Sequence, residues 1–181
     1  MSYTTVMIRT ARMSDIPAIS ELISQHAGKG LMLFRSLAEL YEHLRDFIVA
    51  ERDGRVVGCC ALNIVWSDLA EVKSLAVEEA RRGQGLGQEL MTAALAEAAR
   101  LGLARVFALT YQEKFFAKFG FVVVPKETLP HKVWGDCVKC PKQNCCDEIA
   151  MVRTITVADL TLPGPVPAYL VEDLRPEVAK A

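Results

Sequence analysis

The sequence predicts an α/β domain with strands and helices interleaved along the chain. Three observations carry this reading. Short apolar or alternating runs are separated by segments with apolar residues three and four apart. An Asp53-Gly54 pair sits between two strand-like runs as a hairpin turn. A strand-like run at 71–77 leads through a glycine-rich turn directly into a helical pattern. At 181 residues the chain has the length of one domain and can bury a core without disulfides. Its 51% hydrophobic and 24% charged content is ordinary for a globular protein.

The elements follow in order. Residues 6–10 read as a strand. Ser14 is the expected N-cap of a first helix, whose stripe Ile16, Ile19, Leu22 and Ile23 runs to about His26 before Gly28 and Gly30 break it. Ser36-Leu37-Ala38-Glu39 has the form of a capping box and opens a second helix through Leu40 and Leu44. Residues 47–51 and 55–65 form the hairpin, with Cys59 and Cys60 in its apolar strand as core residues. The strand 71–77 and the glycine turn come next. Leu86, Leu90, Ala93, Ala94 and Ala98 then mark one face of a helix that Gly102 closes. Residues 105–110 are a short buried strand. Phe115, Phe116 and Phe119 lie in a compact helical stretch, followed by strands at 121–124 and 149–155. The domain so read spans 1–157, and 158–181 is an arm carrying Pro163, Pro165, Pro167 and Pro176. Tyr169, Leu170, Val171 and Leu174 favour packing of this arm over disorder, on the domain or on a partner chain, which leaves a homodimer open.

A net charge of −1 gives no electrostatic reason to expect nucleic acid or an anionic membrane surface as partner. The opening MSYTTVMIRTARMSD has no apolar h-region, and no apolar run approaches the ~20 residues needed to cross a bilayer. The expected location is cytoplasmic, with the cysteines as reduced thiols or metal ligands.

A strand, a glycine-rich turn and a helix make an anion cradle, because helix N-termini present unpaired N–H groups and glycine lets a ligand approach the backbone. In EARRGQGLGQEL (79–90), Gly87 is followed by Gln88, which excludes a P-loop. Gln88 and Leu90 occupy the third glycine position of a G-x-G-x-x-G fingerprint, which excludes a dinucleotide turn. What stands there is R-x-x-G-x-G, Arg82 to Gly87.

Arg82-Gly83-Gln84-Gly85-Leu86-Gly87, after the strand AEVKSLAV, resembles the pyrophosphate loop of the GNAT superfamily of acetyl-CoA-dependent N-acetyltransferases. The element order over 6–155 matches that family as well. The resemblance implies a mixed, splayed sheet of about 6–7 strands flanked by about 4 helices. It implies that the backbone at Leu75, Ala76 and Val77 meets the pantetheine arm and the thioester carbonyl, and that Gly83 to Gly87, with Arg82 beside them, hold the pyrophosphate of acetyl-CoA. Acetylation needs a neutral amine, a positioned thioester and oxyanion stabilisation. Glu71 occupies the position of a catalytic glutamate in several members, with a solvated strand carboxylate or an ion pair with Lys73 as the alternative. The tyrosine that commonly protonates the leaving thiolate is replaced by Phe116, which leaves water or Tyr111 for that role.

FALTYQEKFFAKFGF, and LMLFRSLAELYEHLRDFIVAERDG at 31–54, are similar to segments of N-acetylglutamate synthases. The resemblance implies a short stand-alone synthase making N-acetyl-L-glutamate, the first step of arginine biosynthesis. Arg35 and the backbone near Leu33 would hold the acceptor L-glutamate, with Lys73 and Ser74 on the catalytic strand and Lys132 in a closing loop. The second arginine of such enzymes has no counterpart in QNCCDEIAMV. Another small amine or amino acid, or a non-catalytic acyl-CoA-binding role, stands as the alternative. Within the insert 131–148, Cys137, Cys140 and Cys146 have spacing compatible with structural zinc, with His131 as an extra ligand; a redox-labile thiol pair and plain buried thiols are the other readings.

Overall fold

A seven-stranded sheet in the order β1-β2-β3-β4-β5-β7-β6 organises the chain. The computed structural model describes residues 6–130, 135, 137–140 and 142–172. The strands are β1 (Met7–Thr10), β2 (Phe47–Arg52), β3 (Arg55–Trp66), β4 (Leu69–Val77), β5 (Arg105–Thr110), β6 (Val122–Val123) and β7 (Ile149–Thr154). Neighbouring strands are antiparallel except β4 and β5, which pair in parallel. That parallel step requires a crossover, and the helix α3 (Leu86–Arg100) supplies it.

Helices cover both faces. Strand alternation sends Ile48 and Ala50 toward α3, where Leu90, Met91, Ala94 and Leu95 complete one cluster. Phe47 and Val49 point the other way, against Ile16, Ile19 and Ile23 of α1 (Ile16–Gly28) and Leu40 of α2 (Leu37–Glu42). Cys59 and Cys60 fall on opposite faces and are fully buried, and burial pushes the Cys59 thiol up to about 12. Asp53 and Gly54 both have positive φ, 54° and 74°, the backbone that a two-residue hairpin turn with the strands' own twist requires.

Several boundaries differ from the sequence expectation. Ser14 does not cap α1. The Arg12 N–H donates to Asp15 Oδ2 at 2.8 Å, so the chain enters through a short 3-10 turn, Met13–Asp15, and Asp15 precedes the helix. The strand expected at 121–124 shrinks to Val122–Val123, because Phe121 turns into the core on Phe116. The Ser36 box forms as expected, with Glu39 N–H on Ser36 Oγ and the Ser36 N–H on Glu39 Oε2. Its helix stops at Glu42, and a 3-10 turn, Leu44–Asp46, carries the chain into β2. Near the C-terminal end, Val166 lies alongside Arg9, with Thr10 N–H on Val166 O and Val166 N–H on Ile8 O, both at 2.9 Å. The outer edge of β1 is thereby covered. The short helix Ala168–Glu172 buries Val171; Leu174 and Pro176 lie outside the described residues.

Candidate active site

The central feature is an irregular strand. In the β3–β4 ladder Cys59 faces Ala76 and Ala61 faces Lys73, so Ser74 and Leu75 together oppose Cys60 alone. Ser74 has φ +53°, a left-handed conformation that costs a non-glycine residue about 1–2 kcal/mol. This bulge inverts the strand's faces. Ahead of it Ala70 and Val72 join the α3 cluster; beyond it Leu75 and Val77 do, and Ala76 turns to the α1 side. The β4–β5 pairing covers only Leu69 to Glu71, so the strands part just ahead of the bulge. Backbone groups of 72–77 on the β5 side therefore line a cleft instead of a ladder.

The cleft leads to the glycine turn. After the 3-10 turn Glu79–Arg81, Gly83 and Gly85 take φ +78° and +87°, and Gly85 caps α3. A Cβ at either would meet nothing within 4 Å, so glycine serves the left-handed backbone there. Gly87 is already helical, and its Cβ would touch only Phe115 and Val77, at ordinary contact distance of 3.7 Å or more. No backbone carbonyl among the described residues accepts the N–H groups of Gly83 to Gly87; the first bonds back to the turn are Gln88 and Glu89 N–H on Gly85 O. Successive bare N–H groups in a left-handed turn at a helix N-terminus form an anion-binding concavity. Leu86 is buried beneath it and anchors the turn to the core. Arg52 Nη1 donates to Gln84 Oε1 at 3.2 Å, and Arg82 Nη2 lies 3.0 Å from His26 Nε2.

Glu71 and Lys73, opposite Asn63 and Ala61, project to the α1–α2 face. Their side chains are only 13% and 18% exposed, with Glu71 Oε2 3.6 Å from Lys73 Nζ. Lys73 donates to Asn63 Oδ1 at 3.1 Å, Asn63 Nδ2 donates to Asp46 Oδ2 at 2.8 Å, and His43 Nδ1 meets the same Asp46 oxygen at 3.2 Å. Leu33 and Arg35 are half-buried on the segment leading into α2, on the side of the sheet that α2 covers. Sequence reasoning missed His26, Asp46 and Asn63; the contacts His26–Arg82, Asp46–Asn63 and Asn63–Lys73 span 10 to 56 positions, and no local pattern marks them.

The cysteine insert gives no support to the zinc expectation. Among the described residues no group of three or more His, Cys, Asp or Glu is arranged to hold a metal ion, so Cys137, Cys140 and Cys146 do not assemble the expected zinc site. Cys146 Sγ instead accepts from Lys126 Nζ at 3.3 Å, and Cys140 Sγ from the Lys142 N–H at 3.4 Å. Burial raises the Cys137 thiol, reinforced by the neighbouring Cys146, Glu148 and Glu71. His131 and Lys132 lie outside the described residues. Tyr111 is tied to the insert: its hydroxyl donates to Asp147 Oδ1 at 2.8 Å and accepts from Lys142 at 3.1 Å. Phe116 is a core residue, packed edge-on against Phe115 and Phe121.

A bulged strand parting from its parallel neighbour, followed by a bare glycine turn, matches the sequence comparison: residues 18–121 fit the acetyltransferase (GNAT) family. The chain belongs to that family. It is a GNAT-type, acetyl-CoA-dependent N-acetyltransferase. An N-acetyltransferase of Chlorobaculum tepidum, itself uncharacterized, is 45% identical over 148 residues, 82% of this chain and 96% of that one. An amino-acid acetyltransferase of Mycobacterium tuberculosis is 44% identical over 133 residues, 72% of this chain and 76% of that one. The N-acetylglutamate synthase of Neisseria gonorrhoeae, solved with coenzyme A and N-acetyl-glutamate, superposes with a TM-score of 0.76 at 30% identity. That match covers 86% of this GNAT chain and 36% of the Neisseria enzyme. Among the described residues no helix is long and apolar enough to cross a membrane.

Proposed function

We propose that this acetyltransferase transfers the acetyl group of acetyl-CoA to the α-amine of L-glutamate, giving N-acetyl-L-glutamate and so feeding arginine biosynthesis. The observation that carries the donor half is the run of bare N–H groups from Gly83 to Gly87 at the mouth of the β4–β5 cleft. A pyrophosphate is the ligand such a concavity holds best. Arg82 adds a charge-assisted donor beside it, and Gln84 and Leu86 fix the turn's shape. The backbone of Leu75, Ala76 and Val77 binds the pantetheine arm and meets the oxyanion.

Glu71 takes a proton from the acceptor ammonium, and the freed amine nitrogen attacks the thioester carbonyl. The C–N bond forms and the C–S bond breaks; the nitrogen's surplus proton and the proton on Glu71 pass to solvent, and the leaving thiolate is protonated from water, since Phe116 has no proton to give. The acceptor half of the reading draws on the relatives named as amino-acid acetyltransferases and N-acetylglutamate synthase. L-Glutamate brings two carboxylates, which need cationic or amide partners. Arg35, Lys73, Ser74 and the backbone of Leu33 supply them on the α1–α2 face.

The test is thiol release from acetyl-CoA with the purified protein and a panel of amino acids and small amines. Turnover with L-glutamate alone is the expected result. Turnover with a different acceptor would overturn the glutamate assignment, and coenzyme A binding without turnover would overturn catalysis. Arg35→Ala is expected to abolish saturation by glutamate while acetyl-CoA binding is kept; unchanged glutamate kinetics would remove Arg35 from the site.

A further inference from the structure

His26 is the one buried imidazole among the described residues, and nothing in the proposed chemistry uses it. It sits in the last turn of α1, at 8% exposure. Its Nδ1 lies 2.9 Å from the Leu22 carbonyl oxygen and its Nε2 lies 3.0 Å from Arg82 Nη2. A carbonyl only accepts and a guanidinium only donates, so the two contacts fix one state of the ring. Nδ1 carries the proton and donates to Leu22, and the Nε2 lone pair accepts from Arg82. The imidazole is thereby locked to its own helix on one side and turned toward the glycine turn on the other.

Arg82 needs such a support. It lies on the exposed surface of the turn, and a free arginine side chain there would spread over many rotamers. A guanidinium has five N–H donors, so the bond to His26 leaves others for an anion. The same α1-to-turn junction carries a second tie, Lys29 Nζ to Glu79 Oε2 at 2.7 Å, but that pair is exposed and contributes little. The buried ring is the component that holds a geometry.

We propose that His26 is a positioning residue for acetyl-CoA: its neutral ring presets the Arg82 guanidinium at the Gly83–Gly87 turn, where the donor's diphosphate binds. This rests on the reading of that turn as the diphosphate site. The test compares acetyl-CoA with acetyl-pantetheine, which keeps the thioester and pantetheine arm but lacks the nucleotide diphosphate. His26→Leu keeps the packing volume and removes the acceptor; His26→Gln restores an acceptor oxygen.

His26→Leu is expected to raise the acetyl-CoA KM about 2- to 10-fold, the cost of ordering one long side chain on binding. The acceptor KM and the kcat/KM for acetyl-pantetheine should hold, and His26→Gln should recover most of the loss. Arg82→Ala should raise the acetyl-CoA KM at least as far. If Arg82→Ala raises it and His26→Leu does not, His26 has no positioning role while the diphosphate site stands. If Arg82→Ala itself leaves it unchanged, the reading of Arg82 at the diphosphate fails. Equal losses with acetyl-CoA and acetyl-pantetheine, unrescued by glutamine, would make His26 a packing residue and overturn the proposal.

Discussion

Glu71 shares its surroundings with a cation 3.6 Å away, and that neighbour separates two roles for the carboxylate. A group that merely pairs with Lys73 holds the strand together; a general base removes a proton in the reacting complex. Glu71→Gln keeps the shape and one acceptor oxygen but removes the base. It is expected to lower kcat about 10²- to 10⁴-fold, with the acetyl-CoA KM unchanged, as steady-state kinetics would show. A loss confined to stability, with kcat intact, would leave Glu71 as the ion-pair residue only. Single residues were legible where their role is local. The turn formers Asp53 and Gly54 and the capping pair Ser36 and Glu39 act within a few positions and could be read from the chain. Asn63 and His26 could not, because they are defined by partners 10 to 56 positions away.

The start of α3 shows what the glycines are for, and they are not equivalent. Gly83 and Gly85 are set by backbone conformation, so Gly83→Ala or Gly85→Ala is expected to destabilise the fold by about 1–2 kcal/mol. Gly87 is helical with room for a methyl group, where alanine should stabilise by about 0.5–1 kcal/mol. Among the described residues nothing requires Gly87 bare, which leaves its bare backbone open to close approach of a ligand. Gly87→Ala should therefore raise the melting temperature and raise the acetyl-CoA KM together; a more stable protein with unchanged KM would remove that explanation. The element order was legible because strand, turn and helix each have their own period. The bulge at Ser74 was not. AEVKSLAV reads as plain alternation, and only pairing with β3 reveals that two residues oppose one and that the faces invert. The insert was not legible either: its cysteine spacing is compatible with a metal, while in the fold Cys140 Sγ accepts from the Lys142 N–H and Cys146 Sγ from Lys126.

Across the whole molecule, α1, β1 and β2 are joined at a charged corner inside the protein. Arg9 is 2% exposed and bonds Asp15 through both Nη atoms, at 2.6 and 2.9 Å, and Glu51 through Nε at 2.8 Å, while Val166 runs alongside Arg9. Burial works to raise the Asp15 carboxyl, but the Arg9 and Arg12 bonds outweigh it and hold it below its ordinary 3.8. A carboxyl depressed in the folded state contributes stability above its unfolded value and loses it as pH falls through the folded one. Urea unfolding should therefore show stability falling as pH drops below about 4, with a shallower slope for Asp15→Asn. Arg9→Met at neutral pH removes the guanidinium that two buried carboxylates share, at an expected cost of about 3–5 kcal/mol. Acid neutralises the Asp15 carboxylate, so the cost of Arg9→Met should shrink as pH falls. A cost that stays constant across that range would mean that Arg9 contributes packing and that its ion pairs contribute nothing to the fold.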